Sequence, residues 1–128
     1  MRSRAAWLAA VASVAILLVG VRAFFDPVSA SVGFGLPMHT ENETAFVRIY
    51  GARNAFLGAV ALTFLVFRMV QPLTLLFALA TVLPLLDAVV IVSRVGVGSE
   101  LFRHVAILFV LAIVSLSLWR STRSQSSD

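Results

Sequence analysis

Four long stretches of apolar residues divide the chain, and short segments richer in polar residues, proline or glycine separate them. They cover about residues 5–25, 41–68, 72–94 and 99–119. Each approaches or exceeds the ~20 residues with which an α-helix spans the ~30 Å hydrocarbon layer of a bilayer. The pattern predicts an all-α protein, a four-helix transmembrane bundle forming a single membrane domain over residues 1–128. Residues 26–40 are then an outer loop, and residues 120–128 are a cytoplasmic tail.

Local signals predict where several helices begin and bend. The stretch "TENE" at residues 40–43 matches a capping box, so the second helix begins near Glu41. Pro72 suits the first turn of the third helix, where a missing amide does no harm. Pro84 predicts a kink about one turn before Asp87. The proline and glycine content of residues 26–40 predicts a turn-rich loop.

The first apolar stretch has two interpretations. The "MRSR" head, the apolar run and the small-residue pair Val28 and Ala30 resemble a secretory signal peptide. The run is long, however, and the chain that follows is equally hydrophobic. These features favour a membrane span, with cleavage as the alternative.

Composition supports a membrane location. The chain is 60% hydrophobic and 12% charged, whereas soluble domains are roughly 45–50% apolar and about 25% charged. This balance indicates an integral membrane protein, whose first partner is the lipid bilayer. The ten basic residues are all arginines and are dispersed singly, so no basic, aromatic-interleaved patch predicts nucleic-acid binding.

The residue inventory excludes several chemistries. Without cysteine the chain has no disulfide, thiolate nucleophile or Cys-ligated metal. Asp87, His104 and the distant His39 do not form a recognisable metal-ligand spacing. We therefore expect no metal site, and no motif predicts a cofactor.

The arginines also predict an orientation. Cytoplasmic loops carry the excess of positive charge in membrane proteins. Four spans divide the arginines equally between the two sides, with Arg2, Arg4, Arg68, Arg120 and Arg123 on one side and Arg22, Arg48, Arg53, Arg94 and Arg103 on the other. Two of the second set lie within the second helix rather than in a loop, which favours cytoplasmic N- and C-termini in the cell membrane. Trp7 and Trp119 then share one interface, as interfacial tryptophans often do.

A charged residue lies inside the third span, in the segment "LPLLDAVVIV". Intramembrane charges usually face the bundle interior and form pairs. Arg53 lies at a matching depth in the second helix, so we predict an ion pair between Arg53 and Asp87. Further polar residues gather in the same outer half, namely Arg22, Arg48, Tyr50, Asn54 and His104. This cluster either fixes the helix register or forms a ligand-binding site.

Small residues recur at helical spacing along the second helix. Gly51, Asn54, Gly58 and Ala61 form one stripe. Small side chains let a neighbouring helix approach closely. The stripe predicts helix packing through Gly51, Gly58 and Ala61.

The segments "RIYGARNAFLGAVAL", "LPLLDAVVIV" and "RHVAILFVLAI" resemble a family of small four-helix membrane proteins, the domain of unknown function 4267. The resemblance covers nearly the whole chain and rests on a pattern like G-x-R-[DN]-x-x-L-G, a helix 3 aspartate and a helix 4 histidine. The matching positions are Gly51, Arg53, Asn54, Leu57, Gly58, Asp87 and His104. Asn54 departs from the more usual aspartate, which argues against a mechanism with two carboxylates. The resemblance implies the fold and these site residues, but no activity.

Three functions remain compatible with these residues. The first is a non-catalytic membrane protein that binds a small ligand, such as a lipophilic molecule, or a protein partner. The second is a membrane-embedded isomerase or cyclase with Asp87 as acid or base and His104 as proton partner. A small proton-coupled transporter is the third, although helix 1 lacks an acidic residue. Homo-oligomerisation stays open.

Overall fold

A computed structural model describes residues 3–123, and every regular element within them is an α-helix. The helices are α1 (Ser3–Phe25), α2 (Pro27–Phe34), α3 (Glu41–Val66), α4 (Val70–Ala80), α5 (Val82–Val95) and α6 (Ser99–Arg123). Four segments of this range are long and apolar enough to span a membrane: α1 from Arg4, α3, α4 together with α5, and α6. The predicted all-α fold and four-helix transmembrane bundle are confirmed.

Helices α1 and α3 pack together along a seam of glycines. A Cβ atom on Gly58 would lie 2.5 Å from the backbone nitrogen of Leu17, and one on Gly51 would lie 2.5 Å from that of Phe24. Gly20 of α1 faces the α3 backbone in the same way. Real Cβ atoms do not approach backbone this closely, so glycine allows the two helices to touch main chain to main chain.

The two ends of the bundle differ in packing, and one is packed more closely than the other. The closely packed end is filled by buried small and apolar side chains, which are Ala5, Ala9, Ala12, Ala61, Leu73, Phe77, Leu111, Val114 and Leu118. It includes the beginning of α1 and the α3–α4 turn. The opposite end carries α2 and the α5–α6 turn, and we call it the α2 end. Helix α6 packs against α1, α4 and α5, which links the α1–α3 pair to the rest of the bundle.

The prediction that residues 26–40 form a loop is wrong in part, because residues 27–34 form helix α2. Asp26 caps the helix by accepting a hydrogen bond from the backbone amide of Ser29 at 3.3 Å. Pro27 occupies the first helical position, and Gly35 ends the helix with a left-handed φ of 99°. Proline at the start and glycine just past the end are helix boundaries, and here they delimit eight helical residues.

The third span is two helices rather than one kinked helix. Proline lacks an amide hydrogen and its ring clashes with the carbonyl four residues earlier, which for Pro84 is the carbonyl of Ala80. The helix accordingly breaks at Thr81, whose amide and hydroxyl both donate to the carbonyl of Ala78, at 3.3 and 2.6 Å. The predicted bend therefore lies about one turn further from Asp87 than expected.

The remaining boundaries differ from the predicted ones by a few residues. The capping box of α3 is confirmed, with the Glu43 amide donating to Thr40 Oγ1 at 3.3 Å and the Thr40 amide donating to Glu43 Oε2 at 3.1 Å. Helix α3 ends at Val66 because Arg68 adopts a left-handed φ of 55°. Helix α6 continues through Arg123 into the predicted tail. Residues 124–128 of that tail, and Arg2 at the other terminus, lie outside the described residues.

Candidate functional site

A cavity of about 610 Å³ occupies the α2 end of the bundle. Helices α1, α3, α4, α5 and α6 form its walls, and α2 with the segment after it closes the end. Its lining is mainly apolar and includes Ile16, Leu57, Leu76, Phe77 and Leu111. The polar and charged lining residues are Arg22, Ser29, Ser31, Tyr50, Asn54, Asp87, Arg103 and His104. A mainly apolar cavity of this size with a few converging polar groups is typical of a small-molecule site.

His104 lines the cavity but is only 5% exposed. Its Nε2 atom is 3.1 Å from the carbonyl oxygen of Phe34. Because a carbonyl only accepts hydrogen bonds, Nε2 must carry the hydrogen and donate. In the neutral ring, Nδ1 is then an acceptor. Nδ1 is buried and has no hydrogen-bond partner among the described residues.

The carboxyl group of Asp87 lies close to this unsatisfied nitrogen. The distance from His104 Nδ1 to Asp87 Oδ2 is 3.8 Å, which is longer than a hydrogen bond. The Asp87 side chain is 35% exposed and lines the cavity, whereas that of His104 is 6% exposed. Asp87 is therefore the member of the pair that a bound molecule would touch. A hydrogen bond between them requires a shorter distance and a proton on either the carboxyl group or Nδ1.

Aromatic rings connect α3 to α6 through α2. The ring of Phe34 packs edge-on against Tyr50, with centroids 5.7 Å apart, and against His104, with centroids 4.7 Å apart. Tyr50 and Asn54 line the cavity from α3, and the Asn54 amide donates to the Tyr50 carbonyl at 3.1 Å. Asn54 is thus partly satisfied within its own helix.

Two arginines of the lining donate hydrogen bonds to α2. Arg22 Nη2 donates to Ser29 Oγ at 2.8 Å, and Arg103 Nη1 donates to the Gly33 carbonyl at 2.8 Å. Sequence analysis included Arg22 among the candidates but missed Arg103. Its position directly before His104, in the first turns of α6, was the available signal.

Two predicted members of the cluster lie outside the cavity. Arg48 Nη1 donates to the Phe24 carbonyl at 2.9 Å and so ties α3 to the end of α1. The Arg53 side chain is exposed and is not part of the lining. The predicted ion pair between Arg53 and Asp87 is not formed, because Asp87 faces His104. One residue turns a helix by ~100°, so Arg53 points away when its neighbour Asn54 faces the cavity.

The hydrogen bond from His104 to α2 leads to a stability prediction. We expect His104→Leu to lower the free energy of unfolding by about 1–3 kcal/mol, because it leaves the Phe34 carbonyl without its donor. His104→Gln should lose much less, since the glutamine amide can donate to the same carbonyl. Thermal unfolding in detergent checks both. Equal losses for the two variants would contradict the assigned role of Nε2.

Comparison of the chain with known proteins identifies its family but no relative of known function. No curated protein and no solved structure matches it. One family model matches residues 13–118, a range that runs from α1 to α6 and includes Gly51, Gly58, Asp87 and His104. That family is described as a domain of unknown function (DUF4267). The chain belongs to this family of uncharacterised domains.

Proposed function

We propose that this protein binds a lipophilic small molecule with one polar group inside the membrane. The observation that carries the proposal is the mainly apolar cavity of about 610 Å³, into which Asp87 exposes a carboxyl group backed by the buried His104. The apolar lining would hold the hydrocarbon part of the ligand. The Asp87 carboxyl group would accept a hydrogen bond from a hydroxyl or amine of the ligand.

The arrangement of the spans supports access from the bilayer. Helix α3 packs against α1, α2 and α4, while α5 packs against α4 and α6, and α3 and α5 have no extensive contact with each other. Both nevertheless line the cavity. A lipophilic molecule would therefore move from lipid into the cavity between α3 and α5, without crossing water.

Binding of tetradecanol tests the proposal. We expect the protein, purified in a neutral detergent, to bind radiolabelled tetradecanol saturably with one molecule per chain. Asp87→Leu should weaken binding about tenfold or more, because the ligand hydroxyl loses its charged hydrogen-bond partner. Ser93→Leu is the matched control, since it makes a similar polar-to-apolar change on an exposed position of α5 outside the cavity. Absence of saturable binding by the unmodified protein would refute the proposal.

The pairing of Asp87 with His104 favours a second candidate function, acid–base catalysis on a lipophilic substrate of the isomerase or cyclase type. Asp87 would exchange a proton with the substrate. His104 would orient the Asp87 carboxyl group through Nδ1, because Nε2 donates to the Phe34 carbonyl. Asp87→Asn keeps the shape of the side chain but cannot transfer a proton. Retained tetradecanol binding with lost complementation of a deletion strain would support catalysis, and full complementation would exclude it.

We also propose that both termini are cytoplasmic and that the α2 end faces outward. The support is the distribution of arginines between loops and helices. Val97 in the α5–α6 turn and Phe67 in the α3–α4 turn are 75% and 71% exposed, and the chain has no native cysteine. In intact cells an impermeant thiol reagent should label Val97→Cys, and it should label Phe67→Cys only after permeabilisation. The opposite pattern would reverse the orientation.

A further inference from the structure

We infer that the ligand is an amphiphilic anion, whose carboxylate or phosphate head is held by Arg22 and Arg103 while its hydrocarbon tail occupies the cavity. The inference rests on the proposed binding function and replaces the hydroxyl or amine considered there by an anionic head group, which contacts the arginines rather than Asp87. Its basis is the charge and geometry of the cavity lining at the α2 end.

The charges of the lining do not balance. Arg22 and Arg103 contribute two guanidinium groups, and Asp87 is the single acidic residue among the lining residues. Asp87 lies nearest to His104, and no carboxylate within residues 3–123 contacts either arginine directly, although Glu100, outside the lining, interacts electrostatically with Arg103. Both arginines are exposed at the α2 end and also border the apolar cavity, and charged groups next to hydrocarbon favour a partner of opposite charge. An anion at this end of the cavity would supply that partner.

Helix α2 accepts a hydrogen bond from each of the two guanidinium groups. Arg22 donates to the hydroxyl of Ser29 and Arg103 donates to the carbonyl of Gly33, each at 2.8 Å. Ser29 and Gly33 are four residues apart and both line the cavity, so they lie on the same face of α2. Residues with this spacing on a helix are neighbours, with about 5–6 Å between their Cβ positions. Arg22 therefore reaches this face of α2 from α1, and Arg103 reaches it from the neighbouring helix α6.

Each guanidinium group keeps most of its hydrogen-bonding capacity. A guanidinium group has five N–H donors in a planar fork that matches the oxygens of carboxylates and phosphates. The bonds to α2 each use one nitrogen and restrict the orientation of the group. Fixing the arginines before the ligand arrives reduces the entropy lost on binding. The remaining donors are available for the oxygens of one anionic head group.

The rest of the lining selects the other part of the ligand. Further from the arginines, toward the closely packed end of the bundle, the cavity wall includes Ile16, Leu76, Phe77 and Leu111. These residues offer apolar contacts only. A small inorganic anion would leave this surface uncovered. The combination therefore fits a head group joined to a hydrocarbon chain, and it does not fit a free inorganic anion.

Three probes of known composition test the inference on the protein in neutral detergent. We expect tetradecanoate and tetradecyl phosphate to bind at least about tenfold more tightly than tetradecanol, because charge-assisted hydrogen bonds are the stronger ones. Inorganic phosphate alone should neither bind measurably nor compete. Competition by inorganic phosphate, or equal affinities for tetradecanoate and tetradecanol, would overturn the inference and leave the binding function intact. If no amphiphile binds, both the inference and the proposed function fail.

Substitutions assign the preference to the two arginines. Arg22→Gln and Arg103→Gln should each reduce the preference for tetradecanoate over tetradecanol, and the double variant should abolish it. Arg53→Gln is the matched control, since it removes the same charge from an exposed position outside the cavity, and it should keep the full preference. An equal loss in Arg53→Gln would attribute the preference to general surface charge and overturn the inference. If Arg103→Gln does not fold, Arg22→Gln alone must still lower the preference.

Discussion

Gly58→Leu should destabilise the protein by at least about 3 kcal/mol, and Gly58→Ala by about 1–3 kcal/mol, the range found when side chains are forced into well-packed contacts. A Cβ at residue 58 would lie 2.5 Å from the Leu17 nitrogen and 2.7 Å from its Cα. These are backbone atoms, so no side-chain rotation relieves the contact. The two helices must separate, which also disturbs Gly51 and Gly20 further along the seam.

A second glycine supplies the control for this experiment. A Cβ at Gly33 of α2 would have no atom within 4 Å apart from its chain neighbours and the backbone of its own helix. Alanine is favoured over glycine inside a helix by about 1 kcal/mol, so Gly33→Ala should be neutral or slightly stabilising. Thermal and denaturant unfolding in detergent measure both changes. If Gly58→Ala behaves like Gly33→Ala, then α1 and α3 do not pack through their backbones.

The membrane spans were predictable because bilayer thickness imposes an apolar length on each helix. The break in the third span was also partly predictable, since Pro84 removes a backbone donor wherever it lies. The exact position of the break was not predictable, because the clash of the Pro84 ring with the carbonyl of Ala80 moves the break to Thr81. The capping box at Thr40 and Glu43 needed only local information, and it is present as predicted.

Helix α2 is not predicted from composition, because the proline and glycine that bound it are also typical of loops. Their positions matter more than their number: Asp26 and Pro27 begin the helix, and Gly35 ends it. Only eight residues lie between them, which is too few for a convincing hydrophobic period. Missing α2 also concealed the roles of Ser29 and Gly33 as partners of the arginines.

The neighbour of Asp87 cannot be predicted from depth in the membrane alone. Arg53 and Asp87 were matched by their distance along the helices, but two residues at one depth meet only if they also lie on facing sides. The contacts of Gly51 and Gly58 with α1 fix the rotation of α3 about its own axis. Those contacts turn Asn54 toward the cavity and Arg53 away from it. His104, already a candidate from the sequence, is the residue that faces Asp87.

Ala80→Trp should weaken tetradecanol binding by at least tenfold, a loss of about 1.4 kcal/mol or more, because the indole ring would occupy space in the cavity. Ala80 lines the cavity at the end of α4. Ala78 lies two residues earlier on an exposed side of the same helix, outside the lining. Ala78→Trp is therefore the matched control and should bind tetradecanol normally. Both variants should unfold at temperatures close to that of the unmodified protein, which separates a filled cavity from a damaged fold.

Native mass spectrometry of these three proteins tests most directly whether the cavity is a ligand site. After equilibration with tetradecanol and gentle release from detergent, we expect one bound molecule per chain on the unmodified protein and on Ala78→Trp, and none on Ala80→Trp. A bound molecule retained equally by Ala80→Trp, or no bound molecule on the unmodified protein, would contradict the assignment of the cavity as the binding site.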